Sequence, residues 1–209
     1  MTLMTLPRGL YVITDSQLIP KNKFVTTVEQ AILGGAKVVQ YRDKSHSRTL
    51  RYQQAHALHE LCQHYQVPLI INDDAELAAQ VNAEGVHLGK NDLKPDAIAQ
   101  LIEEQFWVGV SCYNQVTLAQ QAVMQGASYV AFGSFFASPT KPNATPVPLD
   151  ILQQVRQSIR CPIVAIGGIM PENGKLLVDL GADNLAIISG VFGCSDVKAA
   201  AASYARLFE

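Results

Sequence analysis

Short apolar runs recur along this chain at a spacing that few folds accommodate. They are LYVIT (10–14), AKVVQ (36–40), PLIIN (68–72), GVHLG (85–89), FWVGVS (106–111), YVAFG (129–133), PIVAIG (162–167) and LAIIS (185–189). Each is rich in Val, Ile or aromatic residues, and most do not alternate with polar ones. That is the pattern of strands buried on both faces, as in a parallel sheet. The stretches between them repeat at helical spacing. Leu58, Leu61, Cys62 and Tyr65 fall at i, i+3, i+4 and i+7, and Ala119, Ala122, Val123 and Gly126 repeat the series. Leu152, Val155 and Ile159 make another stripe, and Val197, Ala200, Ala201, Tyr204 and Phe208 make the last. At GGAKVV, QGASYV and LGADNL a glycine fits the left-handed stop of a helix just before a strand.

Eight strands alternating with helices predict an α/β fold: a single (β/α)8 TIM barrel with short loops over residues 1–209. Such barrels span roughly 200 to 400 residues, so this one would be trimmed. An open doubly wound sheet is the alternative. It needs fewer strands and usually carries a glycine-rich turn after the first, where this chain has VITDSQLIP. The helix between residues 72 and 84 is short, which makes the third unit the least marked.

Charge and cysteine content narrow the function classes. The net charge of −2 suggests neither a nucleic-acid surface nor an acidic tail. Cys62, Cys112, Cys161 and Cys194 form no CxxC pair, which argues against a zinc site or a disulfide framework and fits a reducing compartment. No run approaches membrane-spanning length, and the first residues lack a signal-peptide pattern. The expectation is a soluble cytoplasmic protein with no nucleic-acid or membrane partner.

Polar residues cluster where the apolar runs end. Gln40, Arg42, Asp43 and Lys44 follow the second run, and Asn72, Asp73 and Asp74 the third. Asp92 follows the fourth, Ser111 ends the fifth, and Ser138, Thr140 and Lys141 lie in a long loop after the sixth. Gly167-Gly168 and Ser189-Gly190 end the last two. In a barrel these strand ends share the face that holds the active site. Arg42, Lys44 and Lys141 are cationic, while Asp73 and Asp92 are the carboxylates that Mg²⁺ shares with substrate phosphates. Together they suit a diphosphate. Each unit-charge contact near 4 Å contributes about 4 kcal/mol at an effective dielectric of about 20, before desolvation. The glycines after runs seven and eight suggest a second anion site.

Plainer readings stand beside these. Arg42, Asp43 and Lys44 also read as a solvated loop, Asn72-Asp73-Asp74 as a turn with a helix cap, and Asp92 as a cap. One carboxylate of the triplet can cap while another binds metal. His87, mid-strand, reads as a satisfied interior histidine, and His46, His56, His59 and His64 as loop or helix-surface residues. Asp15 follows the first run and is given no role.

LYVITD, QYRDK, INDD, GVHLGKND, GVS, SPTK, AIGGI and AIIS, in this order across nearly the whole chain, resemble the thiamine phosphate synthase family. The resemblance implies a (β/α)8 barrel that joins 4-amino-2-methyl-5-hydroxymethylpyrimidine diphosphate to a thiazole phosphate, or its carboxylated form, releasing diphosphate and forming thiamine monophosphate with Mg²⁺. It implies that Gln40, Tyr41, Arg42, Asp43, Lys44 and Asn72 hold the pyrimidine diphosphate, and that Asp73 and Asp92 ligate the metal. Ser111 resembles the serine beside the pyrimidine and Lys141 the lysine on the diphosphate. Arg42, Lys44, Ser111 and Lys141 are thus the expected catalytic set. Ser138, Pro139 and Thr140 resemble the loop on the thiazole phosphate, with Gly168, Ile188 and Ser189 its cradle. A homodimer is also implied. The chain departs from the family at Gly133-Ser134, where Gly-Pro is common, in the loop Ser138-Pro139-Thr140-Lys141, where Thr-x-Thr-Lys is usual and where Pro139 lacks a backbone N–H, and at Lys90, where Gln is usual. The alternatives are a thiazole tautomerase of the same fold, for which a histidine after the fifth strand is expected, and a non-catalytic thiazole-phosphate-binding paralogue. A sugar-phosphate epimerase would want paired acid/base carboxylates and a histidine metal set, which the sequence lacks.

Overall fold

The computed structural model describes residues 6–45, 47–89, 97–137 and 147–209. Every apolar run becomes a strand: β1 (Gly9–Ile13), β2 (Ala36–Tyr41), β3 (Leu69–Asn72), β4 (Gly85–Leu88), β5 (Trp107–Tyr113), β6 (Tyr129–Phe132), β7 (Ile163–Ile166) and β8 (Asn184–Ile187). They pair in parallel in sequence order, and β8 closes on β1. Closure removes both sheet edges and excludes the doubly wound alternative. The eighth strand stops at Ile187, short of the run read from the sequence, because Ser189 already begins a helix.

The helices between the strands are α1 (Phe24–Leu33), α2 (Arg48–Tyr65), α3 (Ala75–Val81), α4 (Ala97–Glu103), α5 (Val116–Met124), α6 (Ile151–Ser158) and α7 (Pro171–Asp179). A four-residue α8 (Ser189–Phe192) and α9 (Val197–Ala205) follow β8. Gly35, Gly126 and Gly181, at φ 102°, 99° and 110°, make the left-handed turns expected before β2, β6 and β8. The α2 stripe buries Ala55, Leu58 and Cys62, and it also buries His59, which the sequence placed on the surface. No helix among the described residues is long and apolar enough to cross a membrane.

Strand alternation sorts the side chains into two layers. Leu10, Val12, Val39, Leu69, Ile71, Val86, Val108, Val130 and Leu185 point outward and pack beneath the helices. Tyr11, Ile13, Val38, Ile70, Tyr129, Ala131, Val164 and Ala186 fill the barrel interior. Complete burial of one such Val, Leu or Ile stabilises the fold by about 1.5–3 kcal/mol. At the N-terminal end, the buried Asn184 donates from Nδ2 to the carbonyls of Pro7 (2.7 Å) and Gly9 (3.1 Å), which ties the incoming chain to the β1–β8 seam. The opposite end is left for polar groups.

Candidate active site

The ends of β1 and β2 hold the first cluster. Thr14 Oγ1 accepts the backbone N–H of Arg42 at 2.9 Å. The Arg42 guanidinium lies 3.9 Å from the carboxylate of Asp15, whose other oxygen accepts the N–H of Gln17 at 2.8 Å. Asp15 thus gains a place that the sequence did not give it, beside a predicted diphosphate contact. Asp43 folds the next turn on itself: Oδ1 accepts the N–H of Ser45 (2.7 Å) and Oδ2 accepts its hydroxyl (2.9 Å). Lys44 sits exposed in that turn. Gln40 and Tyr41 part company because successive strand residues face opposite ways. Gln40 points into the barrel, only 3% exposed. Tyr41 lies in the outer layer, with its hydroxyl donating to Gln54 of α2 at 3.0 Å and edge-on to the Phe24 ring. Burial pushes its phenol above the ordinary pKa.

The acidic triplet after β3 divides its roles. Asp74 caps α3, accepting the N–H of Leu77 at 2.9 Å, and pairs with Arg51 at 2.6 Å. Asp73 takes a left-handed conformation, φ 64°, an uncommon one for a residue with a Cβ. Its N–H donates to the carbonyl of His87 at 2.9 Å, which bridges the ends of β3 and β4. Asn72 Nδ2 donates to its carboxylate at 2.6 Å. The second predicted metal ligand, Asp92, lies outside the described residues. Among the described residues no three His, Cys, Asp or Glu side chains form a metal cluster. Mg²⁺ needs no such cluster, since it takes one or two carboxylates and completes its shell with water and substrate phosphate. Asp73, turned out of the capping role that Asp74 fills, is of the right chemical type.

Inside the barrel runs a chain of hydrogen bonds. Gln40 Nε2 donates to Tyr11 Oη (2.8 Å), and Tyr11 Oη lies 2.9 Å from Tyr129 Oη. Tyr129 Oη is 3.0 Å from His87 Nδ1, and His87 Nε2 is 2.9 Å from Ser111 Oγ. Gly109 leaves the space that the Tyr129 ring fills, where a Cβ would collide with it. Burial lowers the imidazole pKa to about 4 and raises both phenols, so all three rings are neutral. His87 is indeed a satisfied interior histidine, and one of its partners is a predicted catalytic serine. Tyr11 and Tyr129 escaped the sequence reading because aromatics in apolar runs read as core. The usable signal was hydroxyl-bearing Tyr, instead of Phe, in two strands of a barrel that also carries an interior His.

The last cluster joins the ends of β6, β7 and β8. Phe135 and Phe136 donate their N–H groups to the carbonyls of Ile166 (3.1 Å) and Gly167 (2.9 Å). Gly168, at φ 62°, lies so close to this segment that a side chain would strike the carbonyls of Phe136 and Ala137. Asn173 of α7 accepts the N–H of Met170 (2.8 Å) and donates to the carbonyl of Gly168 (3.2 Å). Tyr204 of α9, read from the sequence only as part of an apolar stripe, donates to the carbonyl of Ile169 (3.2 Å) and lies against Gly190. It therefore braces both loops. Ile188 and Ser189 stand where α8 begins, and the first-turn N–H groups of a helix have no partner within it. Ser138, Pro139, Thr140 and Lys141 lie outside the described residues, so this cluster is described without its loop.

Residues 10–191 match the sequence model of the family described as thiamine monophosphate synthase. The chain belongs to the thiamine monophosphate synthase family. The matched span runs from β1 into α8 and so includes all the strand ends just described. A thiamine-phosphate synthase of Nitrosococcus oceani is 46% identical over 201 residues, 96% of this chain and 93% of that protein. One from Acidithiobacillus ferrooxidans is 49% identical over 203 residues, 96% of this chain and 94% of that protein. The solved structure of thiamine phosphate pyrophosphorylase from Pyrococcus furiosus superposes with a TM-score of 0.86 at 32% identity, covering 96% of this chain and 95% of that one. Within the family, this barrel and its mouth are therefore read as a synthase scaffold rather than as a generic phosphate-binding barrel.

Proposed function

We propose that this chain is a transferase of thiamine biosynthesis. It condenses 4-amino-2-methyl-5-hydroxymethylpyrimidine diphosphate with 4-methyl-5-(2-phosphoethyl)thiazole to give thiamine monophosphate and diphosphate, with CO2 released as well when the carboxylated form of the thiazole is used. The observation that carries this is the 46–49% identity to thiamine-phosphate synthases over nearly the full length of both partners.

In this reading Arg42, Lys44 and Lys141 grip the diphosphate, while Gln40 and Asn72 hold the pyrimidine with Ser111 beside it. Asp43 shapes the turn that presents Lys44. Tyr41 supports that turn from behind: its hydroxyl lies 3.5 Å from the Asp43 carboxylate. Ser138, Pro139 and Thr140, with Gly168, Ile188 and Ser189, hold the thiazole phosphate. The bond from the exocyclic methylene to the diphosphate oxygen breaks, and its electron pair leaves with the diphosphate. The aminopyrimidine carries the positive charge until the thiazole nitrogen supplies the lone pair of the new C–N bond. A neutral nucleophile needs no general base, which fits a mouth built from cations and amide groups. Asp73 and Asp92 would hold Mg²⁺, which when bound neutralises charge on the diphosphate. Positioning and fixed charge then supply most of the acceleration. The protein would work in the cytoplasm as a homodimer on small molecules, without nucleic acid or membrane.

Purified protein given both substrates and Mg²⁺ tests the assignment, with thiamine monophosphate and diphosphate measured together. Equimolar formation of the two supports the transferase. Thiazole isomerisation without condensation would mark a tautomerase, and binding without turnover a non-catalytic paralogue.

A further inference from the structure

The interior chain from Gln40 to Ser111 crosses the barrel through β2, β1, β6, β4 and β5, and both ends are predicted substrate contacts. Its direction follows from proton counting. Tyr11, 1% exposed, has two hydrogen-bonding side chains as partners, Gln40 and Tyr129. Its oxygen accepts from the Gln40 amide, so its single hydroxyl hydrogen must go to Tyr129. Otherwise a buried donor stays unpaired, at about 1–3 kcal/mol. Tyr129 then passes its own hydrogen to His87 Nδ1. A neutral imidazole with Nδ1 accepting carries its hydrogen on Nε2, which donates to Ser111. The hydroxyl hydrogen of Ser111 is left over.

We propose that Gln40–Tyr11–Tyr129–His87–Ser111 is a polarised hydrogen-bond relay, with Tyr11, Tyr129 and His87 as positioning residues. It leaves the amide oxygen of Gln40 as an acceptor, and the hydroxyl of Ser111 as a donor, for one substrate at the mouth. What that substrate is rests on the function proposed above. There the polarity matches the chemistry. As diphosphate departs, the amine of the pyrimidine becomes a stronger donor, which an acceptor oxygen meets. Ser111 offers its hydrogen to an electron-pair-bearing atom of the same molecule. Reversal would require Gln40 to turn its amide and would exchange the two roles, so neither end changes without the other.

The relay is tested first in ligand-free protein with ¹⁵N-labelled histidine, the His87 signals being assigned by their loss in His87→Gln. The expected spectrum shows Nδ1 as a bare, pyridine-type nitrogen and Nε2 as the protonated one. Protonation at Nδ1 would overturn the polarity. The second test is a double-mutant cycle in kcat. Tyr129→Phe is expected to lower kcat about 10-fold, the loss of about one hydrogen bond. In a Ser111→Ala background the same change should cost clearly less than 10-fold, because the share of its effect that reaches the substrate through Ser111 is already lost. Full multiplication of the two effects, in variants with unchanged thermal melts, would show that Tyr129 serves packing alone and would overturn the positioning role. Absence of synthase activity would count against the proposed function and leave the tautomer to decide the relay.

Discussion

The guanidinium of Arg42 stands 3.9 Å from the carboxylate of Asp15, and this pair joins the ends of β1 and β2. Both side chains are part-buried, so the pair is worth more as an aim for Arg42 than as a stabiliser. Asp15→Asn keeps an oxygen for the Gln17 N–H but loses the charge. It should lower kcat/KM about 3- to 10-fold, or about 1 kcal/mol, with little change in melting temperature. Steady-state kinetics checks this, and wild-type values in Asp15→Asn would remove Asp15 from the site.

Asp73 and Asp74 should separate function from stability. Asp74→Ala removes the α3 cap and the Arg51 partner, and should destabilise by about 1–2 kcal/mol while leaving turnover largely intact. Asp73→Gly relieves a left-handed residue and should keep or raise stability by up to about 1 kcal/mol. It should nonetheless abolish most activity. Urea denaturation with turnover assays decides this. An Asp73→Gly protein with normal turnover would exclude Asp73 as a metal ligand.

The buried His87 gives the metal-free protein a pH-dependent stability. Its pKa falls to about 4 in the fold. Between that value and about 6.5, the unfolded chain binds a proton that the folded chain does not. The contribution is therefore complete above about pH 6.5 and is lost as pH falls toward 4, on the order of 3 kcal/mol in all. In urea titrations, the stability gap between wild type and His87→Gln should narrow from pH 7 to about pH 5. Parallel curves would contradict a neutral interior imidazole.

Thiol reactivity should follow burial. Burial pushes Cys62 and Cys112 to about 12 and the half-buried Cys161 to about 11, while Cys194 is exposed. A disulfide reagent should label Cys194 rapidly in the native protein and the others only on unfolding. Fast labelling of Cys112, on β5 beside Ser111, would mean that the barrel wall opens.

The barrel was legible because a parallel strand buried on both faces leaves an unbroken apolar run, and glycine stops mark where β2, β6 and β8 begin. Which side of the sheet a mouth residue occupies was less legible. Gln40 and Tyr41 are neighbours in one quoted segment, yet strand alternation sends one inside and the other under α2. The supports of the site were the least legible. Tyr11, Tyr129 and Tyr204 look like core residues in sequence, and their hydroxyls gain meaning only when separate strands and α9 meet. Asp15 was visible but without a partner until β1 and β2 stood side by side.

The central claim is that fixed cations at the barrel mouth stabilise a departing diphosphate. Its most direct test is single-turnover diphosphate release, with both substrates and Mg²⁺, in wild type, Arg42→Ala and Lys44→Ala. Each variant should release diphosphate about 100-fold more slowly or worse, the scale for losing one preorganised charge-stabilising contact, while remaining folded. Near-wild-type release in both variants would contradict the account.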